Sequence, residues 1–351
     1  MKNINLVFTK SMTFNLFFKE IAKELSKDFK IKVWCTDTEY IDDSFNKQQI
    51  LLPTNWIKLL NPFKFIKYVA MIRKFIKNSH NEIFILNTPL ASHFFRIASI
   101  NIPITKIYFV HGFRFNSKEK KIVYFFHLFI EYVLSFITDK YIVINNEDEN
   151  IIKKKFKKRF LKINGVGVNS KINNVITNRK KNEKINIGVL SAYRKNKGYE
   201  DIIKISSLLK NINFNCYGYD NFEKYQKKIK KLSLKNIKLN KFDPTLKFKQ
   251  KKYNLLLHLS KREGLCVSII ESLKQGIPVI AYDIRGVNDI VINGYNGYLF
   301  EFNQIDQIAD KIMQLNDDIN LYNQLQLNCL NTIDDTFSHK YLSIKIKNFL
   351  L

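Results

Sequence analysis

Residues 261–276, KREGLCVSIIESLKQG, place two carboxylates eight residues apart in a chain whose charge runs the other way, with 58 Lys+Arg against 31 Asp+Glu. Taken singly, Glu263 and Glu271 are an ordinary loop charge and an ordinary helix charge. Their setting suggests chemistry. The preceding run, NLLLHLS (254–260), has the composition of a buried strand. Ser260 to Gly264 read as a loop, and a helix follows from about Val267 to Gln275, closed by Gly276 and Pro278. On that helix Ile269, Ile270 and Leu273 can face a core, while Val267, Ser268 and Glu271 share another face by their i, i+3 and i+4 spacing. The amides of Cys266, Val267 and Ser268 at the helix start form an anion site. A carboxylate one turn further in, at Glu271, is repelled by a bound phosphate unless it meets hydroxyl donors, and its two acceptor oxygens suit the vicinal diol of a ribose. A nucleoside diphosphate satisfies the helix start and Glu271 together. Glu263, on the loop ahead of the phosphate, then meets whatever is attached beyond it, for which a polyhydroxylated sugar is the natural candidate.

A second cationic site follows the apolar run INIGVL (185–190). In SAYRKNKGYEDII (191–203), Arg194 and Lys197 stand three apart on the way into a helix, and both can reach the same ligand oxygens. Arginine takes a phosphate bidentately and lysine acts as a point charge. In the first half, the run KIYFV (106–110) ends in His111-Gly112. A histidine there can donate to a substrate or stabilise charge at a reacting carbon, or simply pack. NGVGVN (164–169) reads as a backbone turn, because neither GxGxxG nor a following Lys-Ser/Thr is present.

These residues need elements to hold them. Short runs rich in Ile, Val and Phe recur at 4–8, 31–35, 82–86, 106–110 and 141–144, and again at 185–190, 213–218, 254–259 and 278–283. Runs that are apolar on both faces, alternating with amphipathic segments, give an α/β chain with parallel sheets covered by helices. At 351 residues the chain exceeds one ordinary core. The polar stretch SKINNVITNRKKNEK divides it into a domain over 1–169, a linker over 170–183, a second domain over 184–330 and a closing helical segment over 331–351. In open α/β sheets ligands sit beyond the carboxyl ends of the strands, where both cationic sites and His111 fall.

Four scattered cysteines without CxxC spacing fit a reducing, cytoplasmic location and offer no zinc site. The amino-terminal apolar run is too short for a signal peptide. No stretch reaches the ~18–20 apolar residues of a membrane span, since His127 and Glu131 interrupt the longest approach at 122–137. A net charge of +27 calls for an anionic partner, although Lys-rich compositional drift would raise it too. Residues 62–80 and 113–140 mix aromatics with cations, as membrane-surface helices do and as packed domain helices also can. No nucleic-acid motif accompanies the charge.

The stretch REGLCVSIIESLKQGIPVIAYDIRGVNDIVINGYNGYLF resembles the donor-binding signature of retaining, nucleotide-sugar-dependent glycosyltransferases of family 4, which have the GT-B fold. The resemblance extends through KNKG (195–198) and, more weakly, through VHGFRF, INNEDENIIKKKF and NGVGVN, which are similar to bacterial capsule, lipopolysaccharide and N-glycan assembly enzymes. It implies two Rossmann-like domains facing a central cleft, an acceptor-binding one and a nucleotide-sugar-binding one. It also implies transfer from a UDP-sugar, of hexose or N-acetylhexosamine, to a lipid-linked or surface-polysaccharide acceptor, with no obligatory metal or other cofactor. By that resemblance Glu263 and His111 are catalytic, while Arg194, Lys197, Gly264, Leu265, Cys266, Val267 and Glu271 bind the donor. The implied location is peripheral, on the inner face of the cytoplasmic membrane. Two departures stand out. The loop after residue 190 begins Ser191-Ala192 where the family has Gly-Arg, so Arg194 is the candidate for the phosphate arginine. FTKSMTFN (8–15) lacks the usual glycines, which leaves Lys10 to Thr13 to serve. The acids of DTE (37–39) and EDE (147–149) are not expected to bind metal. A GT-B sugar-nucleotide epimerase is the nearest alternative, and a basic nucleic-acid-binding protein the more distant one.

Overall fold

The computed structural model describes residues 1–52, 62–168, 179, 183–241 and 253–351. Two compact units emerge, one formed by Met1–Gly167 with Thr336–Leu351 and the other by Val168–Asp335. Most of the expected linker lies outside the described residues.

Unit 1 is built on seven parallel strands, β1 (Asn3–Val7), β2 (Lys30–Cys35), β3 (Asn46–Gln49), β4 (Ile83–Leu86), β5 (Thr105–Val110), β6 (Lys140–Val143) and β7 (Arg159–Lys162), in the order 3-2-1-4-5-6-7. Unit 2 has six, β8 (Asn186–Leu190), β9 (Asn213–Gly218), β10 (Ile237–Lys241), β11 (Leu255–His258), β12 (Val279–Tyr282) and β13 (Gly297–Phe300), in the order 10-9-8-11-12-13. Each sheet grows outward from its first strand and then reverses, so β1 lies between β2 and β4, and β8 between β9 and β11. The reversal opens a crevice at the carboxyl ends of the two central strands.

All nine apolar runs form strands within one residue of their expected ends. The four strands not expected, NKQQ, RFLK, IKLNK and GYLF, are the four sheet edges. An edge strand does not need two apolar faces, so its composition carries little signal.

The helices of unit 1 are α1 (Ser11–Phe17), α2 (Lys19–Leu25), α3 (Pro62–Ile76), α4 (Pro89–Ala98), α5 (Lys121–Ser135) and α6 (Asn146–Ile151). Unit 2 contributes α7 (Tyr199–Leu208), α8 (Phe222–Lys231), α9 (Val267–Lys274), α10 (Ile305–Asp317) and α11 (Ile319–Leu330). The last helix, α12 (His339–Leu350), returns to unit 1 and packs on α2. Lys347 pairs with Asp28 at 2.6 Å, and Lys140 donates to the Phe349 carbonyl at 3.2 Å. Gly167 admits the His339 ring, which a Cβ there would meet at 2.3 Å.

Under α3 and α4 the core of unit 1 gathers Val7, Trp34, Phe84, Leu86, Phe94 and Phe95. Glu131 of α5 is buried but compensated, accepting from Arg96 at 2.9 Å and contacting His93 at 2.8 Å. That pairing, with Leu128 and Leu134, fixes the inner face of α5. Its outer face carries Ile122, Phe125, Phe126, Phe129 and Phe136, all between 59% and 79% exposed. Among the described residues no helix is long and apolar enough to cross a membrane.

Candidate active site

In unit 2 the two expected sites converge, because β8 and β11 are neighbours. The loop leaving β8 makes a tight turn at Lys195–Lys197 and enters α7 through Gly198, at φ +76°. A Cβ on Gly198 would lie 2.1 Å from the Leu259 carbonyl oxygen, so only glycine lets this turn rest on the end of β11. Lys261 N donates to the Asn196 carbonyl at 2.8 Å and joins the two loops. Lys197 Nζ then stands 2.5 Å from Glu263 Oε1, the two side chains 21% and 15% exposed. The Glu263 backbone is held as well, its carbonyl accepting from Arg285 Nε at 3.3 Å.

A residue not singled out in the sequence completes the group. His258, the last residue of β11, is 3% exposed and directs Nε2 to Glu263 Oε1 at 3.2 Å and Nδ1 toward Cys266 Sγ at 3.7 Å. Cys266 Sγ also lies 3.1 Å from Ser268 Oγ. Burial alone would raise the Glu263 pKa, but its bonds to His258 and Lys197 outweigh it and hold the carboxylate down at about 2. For His258, burial opposes the charged form, yet Cys266 and Glu263 push the imidazole up to about 10. The Cys266 thiol is lowered against burial by the same histidine. His258, Glu263 and Cys266 are metal-ligand types with donor atoms within 4.8 Å of one another. As they stand, Glu263 and Cys266 face opposite nitrogens of the His258 ring, so their contacts are hydrogen bonds, and three residues fall short of the four protein ligands of a closed structural zinc site. The group is a hydrogen-bonded cluster of charges.

Helix α9 starts where the sequence places it, with Cys266 as N-cap and no side-chain cap. Its first helical hydrogen bond is made by Ile269 N, which leaves the amides of Val267 and Ser268 ahead of it. Ile269, Ile270 and Leu273 are buried, whereas Val267, Ser268 and Glu271 are half-buried. Arg194 does not join Lys197. It turns to Asp220 and lies 5.9 Å from the Tyr219 ring, with its side chain 53% exposed. Ala192, at the family's arginine position, is buried, and Ser191 Oγ beside it is a buried hydroxyl without a hydrogen-bond partner among the described residues. Phe242, which the family resemblance alone sets near the base, lies outside the described residues.

In unit 1, His111 follows β5 and is half-buried. Its ring stacks on Phe109 at 4.5 Å, and Nε2 lies 3.0 Å from Asn87 Oδ1. Burial lowers its pKa to about 4. The next turn is pinned by the EDE acids: Asp148 accepts from Phe113 N at 3.3 Å, and Glu147 accepts from Ser117 N at 2.9 Å. Glu149 pairs with Lys153 at 2.7 Å. Asp37 of the DTE stretch accepts from Ser11 N at 2.7 Å. Beside it Lys10 is exposed and precedes α1. At the carboxyl ends of β1 and β4, Thr9 and Thr88 join hydroxyls at 2.7 Å. Thr88 has φ +40°, a region that costs a β-branched residue about 1–3 kcal/mol.

Residues 170–329 match the family described as Glycosyl transferases group 1. The chain is 24% identical over 360 aligned positions, covering 93% of it and 90% of the relative, to the UDP-Gal:alpha-D-GlcNAc-diphosphoundecaprenol alpha-1,3-galactosyltransferase of Escherichia coli. Among solved structures it superposes on sucrose-phosphate synthase from Thermosynechococcus elongatus with a TM-score of 0.82 at 12% identity, covering 100% of this chain and 98% of that one. The Anabaena protein HepE, solved in complex with UDP and glucose, gives a TM-score of 0.77 at 15% identity, covering 100% and 99%. The two switch-point sheets are those of the GT-B fold, and with the match over residues 170–329 and the relatives named glycosyltransferases they identify the chain as an enzyme of glycosyl transfer.

Proposed function

We propose that this glycosyltransferase moves a hexose or N-acetylhexosamine, with retained configuration, from a UDP-sugar to a lipid-diphosphate-linked or surface-polysaccharide acceptor. The observation that carries the reading is the Lys197–Glu263 pair, set at the carboxyl ends of β8 and β11 beside the start of α9. In this reading unit 2 binds the nucleotide sugar and unit 1 the acceptor. Lys197 serves the diphosphate, and Arg194 does so on exchanging Asp220 for phosphate, while the amides from Gly264 to Val267 face phosphate and sugar and Glu271 takes the ribose hydroxyls. Glu263 meets the sugar, and His111 takes part in the transfer. Negative charge develops on the departing UDP, and Lys197 with the α9 amino end is suited to stabilise it without a metal. Loss of one such contact costs about 2–4 kcal/mol of barrier.

The Escherichia coli relative, named for a diphosphoundecaprenol-linked substrate, supports a lipid-linked acceptor here. The exposed aromatic face of α5, together with Lys64, Lys67 and Lys74 on exposed positions of α3, supports peripheral attachment to an anionic membrane surface at its cytoplasmic side. A thermal-shift screen of nucleotide sugars tests the donor, since binding stabilises by RT ln(1 + [L]/Kd). A shift with one UDP-sugar, followed by transfer of that sugar to an undecaprenyl-diphosphate glycan, is the expected result. Release of a free epimerised sugar without acceptor would overturn transfer in favour of epimerisation.

A further inference from the structure

Asn87 sits one residue past β4 and is fully buried. Its amide nitrogen donates to the Ile85 carbonyl at 3.2 Å, and its amide oxygen faces His111 Nε2 at 3.0 Å. The Ile85 carbonyl can only accept, so the NH2 of Asn87 must point to it, and the atom left for His111 is the oxygen. An oxygen there requires a proton on Nε2. The ring plane is fixed by stacking on Phe109 at an interplanar angle of 20°, and turning it over within that plane would set a ring carbon in place of Nε2 against the Asn87 oxygen. Next to Asn87, the tie between Thr88 and Thr9 holds the backbone. Nδ1 makes no hydrogen bond among the described residues, and burial keeps the ring neutral well below neutral pH.

We infer that Asn87 is a positioning residue: it locks His111 in the Nε2–H tautomer and so presents Nδ1 as a hydrogen-bond acceptor for a hydroxyl group. The ligand class follows from that polarity. A neutral imidazole with a bare Nδ1 accepts from a sugar or acceptor alcohol and repels a phosphate oxygen, which has no proton to give. The role is opposite to the donor or charge-stabilising one expected from the sequence. It rests on the reading of His111 as part of the transfer site.

The test uses the full chain labelled with 15N-histidine and long-range 1H–15N correlation at neutral pH, with His111 assigned by its loss in His111→Gln. The expected spectrum has a protonated Nε2 and a bare Nδ1 for His111. A proton on Nδ1, or a doubly protonated ring, overturns the inference without any variant having to fold. Asn87→Leu is expected to mix the tautomers and lower kcat about tenfold or more, while Asn87→Asp, which still accepts from Nε2, restores the single tautomer and most of the rate. Equal rates in Asn87→Leu and wild type would overturn the positioning role. Ligand arms separate the sources of the hydroxyl: UDP alone should leave the Nδ1 shift unchanged, and either UDP-glucose or octyl α-N-acetylglucosaminide should move it. If neither does, the hydroxyl-accepting role is wrong. The underlying reading is tested separately. Unchanged transfer by His111→Ala would remove His111 from the reaction, whatever tautomer the wild type shows.

Discussion

Replacing Glu263 by glutamine should tighten UDP binding while abolishing most transfer. The substitution keeps the shape of the side chain and removes the charge on which Lys197 and His258 converge. Both contacts fall on the same oxygen, at 2.5 and 3.2 Å. The fall of the Glu263 pKa from an ordinary 4.5 to about 2, achieved against burial by His258 and Lys197, corresponds to about 3 kcal/mol of preference for the carboxylate. Lys197 holds part of that preference and His258 the rest. A diphosphate that recruits Lys197 must compete with that attraction, and Glu263→Gln removes the competitor. The gain in UDP affinity should therefore be on the order of 1–2 kcal/mol, or roughly tenfold. Calorimetry with UDP on the wild type, Glu263→Gln and Lys197→Met measures it, the last variant being expected to bind more weakly than either. Weaker or unchanged UDP binding by Glu263→Gln would refute the argument that Lys197 divides its charge between Glu263 and phosphate.

Glu271→Ala should weaken both uridine and UDP by about 1.5–3 kcal/mol, the range for hydrogen bonds to a charged group, and calorimetry showing unchanged uridine binding removes the ribose role. His111 should stay neutral down to about pH 4, because burial lowers its folded pKa below the unfolded 6.5. Below pH 6.5 the unfolded chain therefore takes up a proton that folded His111 refuses, and stability falls as pH drops toward 4. An NMR titration of His111 with a midpoint near 6.5 contradicts this. Replacing Phe125, Phe126 and Phe129 by serine should remove the salt-resistant part of liposome binding and leave a part that vanishes near 1 M salt, where the screening length is about 3 Å. Equal partition of wild type and variant at high salt would show that the α5 face does not enter the bilayer.

The central strands were legible because burial on both faces forces an apolar run, as in IFIL of β4 and LLLH of β11. Edge strands such as NKQQ face no such demand and were silent. Helix α9 was legible to within a residue because its spacing, its glycine stop and its proline all agree. At the site, Lys197 and Glu263 could each be placed at a strand's carboxyl end from position alone. Their direct pairing could not, since it depends on the Gly198 turn resting on Leu259. His258 left one trace, a polar residue inside an apolar strand run, which is costly unless it has partners. Asn87 left a similar trace in the polar Asn-Thr immediately after IFIL. Arg194 shows the reverse: spacing put it within reach of the same ligand as Lys197, but a nearby carboxylate, Asp220, captures its guanidinium.

The return of α12 to unit 1 bears on the order in which this chain folds during synthesis. Domains generally fold as units, amino-terminal first, as they leave the ribosome. Here the amino-terminal unit is interrupted: residues 168–335 form a separate body that is complete before the segment capping α2 has been made. The α2 face against which α12 packs must wait for the last dozen residues of unit 1, while unit 2 has all its strands in hand. The second half can thus mature first, and the nascent first half must keep an uncovered apolar face from self-association until the whole of the second has been translated.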